Sequence, residues 1–321
     1  MLARIAHELF WLGRNLVRAE HTARMLDGVF QADVQGRPDD PAGVTLGWGS
    51  ILAIMGANPE GLPARRDDVL ERLTLDADDP ASVVSCVARG REGARTVRDV
   101  ISAEMWEAVN TTNLTLLEGD LSARLRTGPY SFYQYVKERS ALFWGLTRRT
   151  MLRDDASAFL IAGGRIEAAD MVLRMLRVAL PVADADDTAA RDGQALALLQ
   201  AVGGFQAFRR AVPGPPNAQP VARFLLFERA YPDSVAASVE SLLQSIEQAD
   251  LNPRNSEPVL RLTRLGADLE FRRRSEIAGV GGLHGTFEFI QSELAQVDQD
   301  IAERYFAGAA APGVVATHVN A

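Results

Sequence analysis

Apolar residues in this chain recur at every third or fourth position over long stretches, and two-residue alternation is missing. From Leu2 to Val29 they fall at Leu2, Ile5, Leu9, Leu12, Leu16, Ala19, Ala23 and Leu26. Those steps line one stripe of an α-helix of about 40 Å, at 1.5 Å per residue. A strand would need alternation, and a hairpin would need Asn-Gly or Asp-Gly between β-branched runs; neither occurs. The chain is therefore expected to be all-α, a multi-helix bundle with no significant β-sheet.

Punctuation then divides the chain. Gly28 is expected to end the first helix, and Gly36, Pro38 and Pro41 to form a loop. Short helices are expected at Trp48–Met55 and Asp67–Leu73, separated by the turn Asn58–Gly61. Pro80, at a tolerated first-turn position, opens a stretch whose period (Val97, Val100, Ile101, Met105, Trp106, Val109, Leu114, Leu117) predicts one long helix towards Glu118. A helix from Tyr130 to Thr150 carries the stripe Phe132, Tyr133, Tyr135, Phe143 and Trp144, read as core packing. Asp154-Asp155 caps a helix from Ala156 to Ala179, ended by Pro181, and Asp184–Arg191 reads as a loop. Pro213-Gly-Pro-Pro216 is the strongest break, followed by helices near Val221–Arg229, Ser234–Ala249, Val259–Ile277 and Leu283–Phe306. The expected organisation is one helical domain over 1–307, open to subdivision into 1–212 and 217–307, with a flexible tail at 308–321.

Charge and motif content remove several function classes. With 34 basic and 42 acidic side chains, the formal charge of -8 argues against a general nucleic-acid binder. Arg148-Arg149 and Arg272-Arg273-Arg274 lie beside acids and read as solvated helix faces. The single cysteine, Cys86, sits in an apolar run and reads as buried; it suits a reducing compartment. Charges interrupt the N-terminal apolar residues, and nowhere do 18 apolar residues run together, so neither a signal peptide nor a membrane span is expected and the cytoplasm is the default. His7 and His21 stand 14 apart, and no His-x-x-x-His, Cys-x-x-Cys, phosphate loop, dinucleotide fingerprint or Gly-x-Ser-x-Gly elbow occurs. No metal or cofactor is expected.

Displacing the chain by 150 superposes Gly13–Leu26 on Gly163–Leu176. Gly13 meets Gly163, Leu16 meets Ile166, Ala19 meets Ala169, Glu20 meets Asp170, and Arg-Met-Leu recurs at 24–26 and 174–176. Two pseudo-repeated core helices are expected, whose small residues permit close approach and whose acids pair with the arginine four residues on. The helical period also buries or half-buries Arg14, Arg18, Glu20, Glu138, Arg139, Arg165, Glu167 and Asp170. Buried ions must be paired, so this set is either an internal structural network or an anion-recognising pocket.

An ordered series of segments gives these residues a context. It runs Met1-Leu-Ala-Arg4, Leu9-Phe-Trp-Leu-Gly-Arg14, Arg18-Ala-Glu20, Thr22-Ala-Arg24, Ser102-Ala-Glu-Met-Trp-Glu107, Val136-Lys-Glu-Arg-Ser140 and Thr150-Met-Leu-Arg-Asp154. The Gly163–Leu176 copy, Phe224-Leu-Leu-Phe227, Tyr231-Pro232 and Ile301-Ala-Glu-Arg-Tyr-Phe306 complete it. In this series the chain resembles the bacterial alpha-E family, a helical domain named for its Glu-Arg motif. The resemblance implies work beside a circularly permuted ATP-grasp ligase and a transglutaminase-like protease, in making or processing a peptide or amide-linked conjugate. Where the family pattern has Glu-Arg in both copies, this chain has Val17-Arg18 and Glu167-Ala168. Across a twofold axis Arg18 and Glu167 are then expected to face each other, with Val17 and Ala168 replacing the partner bridge.

Two readings follow. In the first, the protein is a non-catalytic accessory or scaffold of the ligase, binding it or its peptide product through Arg14, Arg18, Glu20, Arg139, Arg165, Glu167 and Asp170. It would then present an apolar patch near Phe205–Phe208 or Phe287–Phe289. In the second, it is a free-standing amide- or peptide-acting enzyme using Glu20, Glu138 or Glu167 as acid/base, which needs a deep pocket and a carboxyl raised by burial. A purely structural bundle is the bland third.

Overall fold

The computed structural model describes residues 1–34, 47–57, 64–118, 121–180, 188–275 and 281–307, and every regular element within them is helical. A first set comprises α1 (Ala3–Val34), α2 (Trp48–Ile54), α3 (Arg66–Leu75), α4 (Val83–Thr96), α5 (Ala103–Leu117), α6 (Leu121–Thr127) and α7 (Tyr130–Thr150). A second comprises α8 (Asp155–Ala179), α9 (Thr188–Ala201), α10 (Phe205–Ala211), α11 (Ala218–Phe227), α12 (Val235–Ala249), α13 (Glu257–Arg274) and α14 (Gly281–Tyr305), with a 3-10 turn at Pro253–Asn255.

α1 and α8 run side by side in parallel through the centre. α8 starts where the sequence places it, because the Asp154 side chain accepts from the Ser157 backbone N–H and the Ser157 hydroxyl reciprocates. The two helices meet at the repeated glycines. A Cβ on Gly13 would lie 2.2 Å from the Leu160 carbonyl oxygen, and one on Gly163 would lie 1.9 Å from that of Phe10. The contacts are reciprocal at the 150-residue offset, as a twofold axis along the pair requires. Only glycine permits this approach, and it brings the polar residues a turn further on within reach of one another.

The duplication extends beyond that pair. α4 packs on α1 as α12 packs on α8; α5 joins α4 to α7 as α13 joins α12 to α14; α3 lies on α4 as α11 lies on α12. α7 covers α1, and α14 covers α8. α2 and α9 cross over, α2 packing on α8 and α9 on α1, so the halves are interleaved. The sequence carries a trace of this, because Pro80-x-Ser82-Val83 and Val87 recur as Pro232-x-Ser234-Val235 and Val239. Ser82 and Ser234 each cap their helix by accepting from the backbone N–H three residues on. The Pro213–Pro216 break falls between α10 and α11, and α9 before it packs on α11 after it.

Several expected boundaries move. The long helix from Pro80 to Glu118 is two, α4 and α5, because the chain turns at Val97–Ile101 and Ser102 caps a new start by accepting from Met105. Val97 and Ile101 are buried in the turn itself, so the apolar period runs through it unbroken. Pro80 precedes the Ser82 cap and is not in the first turn. Gly28 does not end α1; it faces Ala201 of α9, and that packing offsets a helix-interior glycine cost of about 1 kcal/mol. Thr188 to Arg191 belong to α9, not to a loop, and α6 and α10 were not anticipated. The Gly36–Pro41 loop, the Asn58–Gly61 turn, residues 184–187 and the tail at 308–321 lie outside the described residues.

Candidate functional site

The glycine contact sets Arg14 and Arg18 of α1 opposite Glu167 of α8. Arg18 Nε donates to Glu167 Oε1 at 2.6 Å and its Nη2 to Oε2 at 3.0 Å, the facing pair expected from the split motif. Arg14 Nε donates to the same Oε2 at 2.9 Å. Its Nη1 reaches both oxygens of Asp298 on α14, at 2.9 and 2.7 Å, and its guanidinium stacks 4.7 Å above the Trp11 ring. The Glu167 side chain is 1% exposed, those of Arg14 and Arg18 11% and 19%, and that of Asp298 37%.

Burial alone would raise the Glu167 carboxyl, but Arg18 first and Arg14 next outweigh it and hold the group well below the usual carboxylate range. Burial likewise works to lower Arg14, and Asp298 with Glu167 overcomes it to raise the guanidinium above its ordinary value. Because the folded-state Glu167 lies below its unfolded value, the bridge stabilises at neutral pH. That contribution is lost as pH falls below about 4.3, where the unfolded chain takes up a proton that the folded protein does not. Replacing Glu167 with Gln should flatten the fall in unfolding free energy, read from urea titrations, between about pH 5 and pH 3, by up to about 1.4 kcal/mol per pH unit. Identical slopes in the two proteins would show that Glu167 does not drive the acid transition.

The twofold mate of this cluster carries no such charges. The mates of Arg14, Arg18 and Glu167 are Gly164, Ala168 and Val17; Val17 and Ala168 are buried. A Cβ on Gly164 would meet the Trp144 ring at 2.8 Å and the Val17 side chain at 3.4 Å. Trp144 of α7 thus occupies space that on the other side holds the guanidinium of Arg14. The repeated acids keep their symmetry. Glu20 pairs with Arg24 and accepts from Ser140 of α7, and Asp170 pairs with Arg174 and accepts from Gln291 of α14.

Other sequence-selected residues lie elsewhere. Glu138 is exposed and bonded to Gln134, correcting the expectation that it is buried with the cluster; it lies on the outer face of α7. Arg139 points to α5, donating to Thr112 Oγ1 and the Ala108 carbonyl, and Arg165 reaches the Pro232 carbonyl and Asp233. Phe208 and Phe287 are fully buried, while Phe205 and Phe289 are part-buried under Arg209 and Arg272, so neither proposed apolar patch is exposed. Two groups were missed. Asp298 lies 284 residues from Arg14 and has no local signal. Asp250 is held by Arg304 and Tyr305 of the closing motif; burial first, and the bond to Asp250 next, push the Tyr305 hydroxyl up to about 12.

A shallow recess between α1, α4, α5 and α7, lined by Leu16, Val87, Val109, Val136, Arg139 and Phe143, holds about 20 Å³, room for roughly one water molecule. No acidic residue lines it. No group of three metal-ligating side chains is present among the described residues, nor is any described helix long and apolar enough to cross a membrane.

The split Glu-Arg pair and the all-helical duplication agree with a family model, Alpha-E, described as a predicted alpha-helical domain with a conserved ER motif, which matches residues 1–306. The chain belongs to the Alpha-E family. Uncharacterised proteins of Mycobacterium bovis and Mycobacterium tuberculosis are each 23% identical to this Alpha-E chain over 312 residues. The alignment covers 92% of the Alpha-E chain and 34% of each relative, so the chain spans about a third of their length. No solved structure matches it.

Proposed function

We propose that this Alpha-E protein is a non-catalytic accessory or scaffold of an ATP-grasp carboxylate–amine ligase and a transglutaminase-like protease, in peptide or amide-conjugate synthesis or processing. The observation that carries this reading is the state of Glu167. A proton-transferring carboxyl needs a value brought up towards neutrality, whereas this one is clamped by two arginines and held down. Of the other acid/base candidates, Glu20 is engaged by Arg24 and Ser140, and Glu138 faces solvent. Nothing in the site favours the free-standing enzyme. The relatives add support, since their matching region is accompanied by about twice its length of other chain, as suits a unit that works beside others.

Affinity capture of the tagged protein from native extract, washed at moderate salt and quantified by mass spectrometry, tests this. Stoichiometric recovery of an ATP-grasp ligase is the expected result. Recovery of the chain alone counts against the accessory role.

A further inference from the structure

One end of the bundle gathers both ends of the family-matched region. The Met1 amine bonds Asp155 at the start of α8, and Phe306, beyond α14, packs against His7, Phe10 and Phe159. Gln248 near the end of α12 donates to the Asp154 carbonyl, and Thr150 at the end of α7 donates to the Ser102 hydroxyl before α5. A chain joined at either end of the matched region would be joined at this end of the bundle.

The same end displays what a docking face needs. Leu2, Leu152 and Leu251 are 73%, 78% and 104% exposed, among the most exposed large apolar side chains described. Around them Arg4, Arg98, Arg148, Arg149, Arg153 and Arg254 are exposed and have no carboxylate within salt-bridge distance among the described residues. Asp99, Glu104, Glu247 and Glu303 are exposed at the same end and offset part of this charge, so the positive excess is concentrated at Arg148, Arg149 and Arg153 beside Leu152. Asp250 is paired with Arg304, whereas Asp154, which caps α8 through backbone N–H groups, keeps its charge. In a chain of net charge -8, Arg148, Arg149 and Arg153 beside the bare Leu152 suit an acidic protein surface with an apolar seat.

We infer that this end, centred on Leu152 with Arg148 and Arg149, is the docking surface for the catalytic protein partner. The partner presents carboxylates around a pocket for leucine. The inference rests on the accessory reading.

The test measures the Kd of the full chain for purified ATP-grasp ligase from the same genome. It compares wild type, Arg148→Glu/Arg149→Glu/Leu152→Glu, and an opposite-end control, Arg209→Glu/Arg210→Glu. The first variant should bind about tenfold more weakly or worse while still melting cooperatively within a few degrees of wild type, since it loses only the favourable charges at the end of α7, and the control should bind as wild type does. If wild type binds and both variants bind equally well, the surface is overturned while the accessory reading stands. If wild type does not bind, that reading fails and the surface falls with it. Phosphatidylglycerol vesicles form a parallel arm. Loss of vesicle binding with intact ligase binding would overturn the inference in favour of a lipid surface.

Discussion

Replacing Glu167 with Ala should cost about 3–5 kcal/mol of stability, because two guanidinium groups would be left in the interior with their shared carboxylate gone. For a chain of this length that is a fall in Tm on the order of 10 °C. Asp298 cannot compensate, since it reaches only Arg14 and is itself part-solvated. Replacing Arg14, Arg18 and Glu167 together with Met should recover most of the loss, because an apolar cluster of similar volume avoids the desolvation of all three ions. Thermal and urea unfolding of the two variants read this directly. An alanine variant melting within about 2 °C of wild type would mean that the bridge is not a stabilising contact. Failure of the triple variant to recover would mean that geometry, and not charge balance, governs the centre.

Gly163→Ala should be as damaging by a different route. The new Cβ would stand 1.9 Å from the Phe10 carbonyl oxygen and 2.7 Å from its carbon, both backbone atoms of a helix that cannot yield locally. α1 and α8 must separate, costing about 3 kcal/mol or more, and the separation lengthens every bond to Glu167. Gly13→Ala makes the reciprocal clash with Leu160, at 2.2 Å. Because the two share one interface, the double variant should cost less than the sum. Gly145→Ala in α7 is the control: nothing lies within 4 Å of its Cβ position, and helix propensity predicts a gain of up to about 1 kcal/mol. Urea midpoints for the four variants and wild type settle the matter, and a Gly163→Ala variant as stable as wild type would refute the close approach.

Much of the architecture was legible because apolar period and capping residues are local. Asp154 marks the start of α8 with an acid and a serine three residues on, and the apolar stripe of α1 is readable from Ile5 to Leu26, while Leu2, expected on the same stripe, precedes the helix and is exposed. Where boundaries were wrong, burial hid them: Val97 and Ile101 are buried in a turn and look like continued helix. The Arg18–Glu167 contact was inferable because the repeat fixes the axis between the copies. Asp298 was not, because its only relation to Arg14 is that α14 folds back over α1 and α8.

The sequence by itself determined the all-helical class, the paired central helices and which residues of them must be small or charged, since these follow from periodicity, propensity and the internal repeat. Only the tertiary structure decided that the duplication extends from the central pair to the helices packed on it and that α2 and α9 exchange between halves. It also decided that one side of the axis is ionic while the other is filled by Trp144. Those outcomes depend on contacts between segments far apart in the chain, where packing volume and the pairing of buried charge decide among arrangements that local signals leave equal.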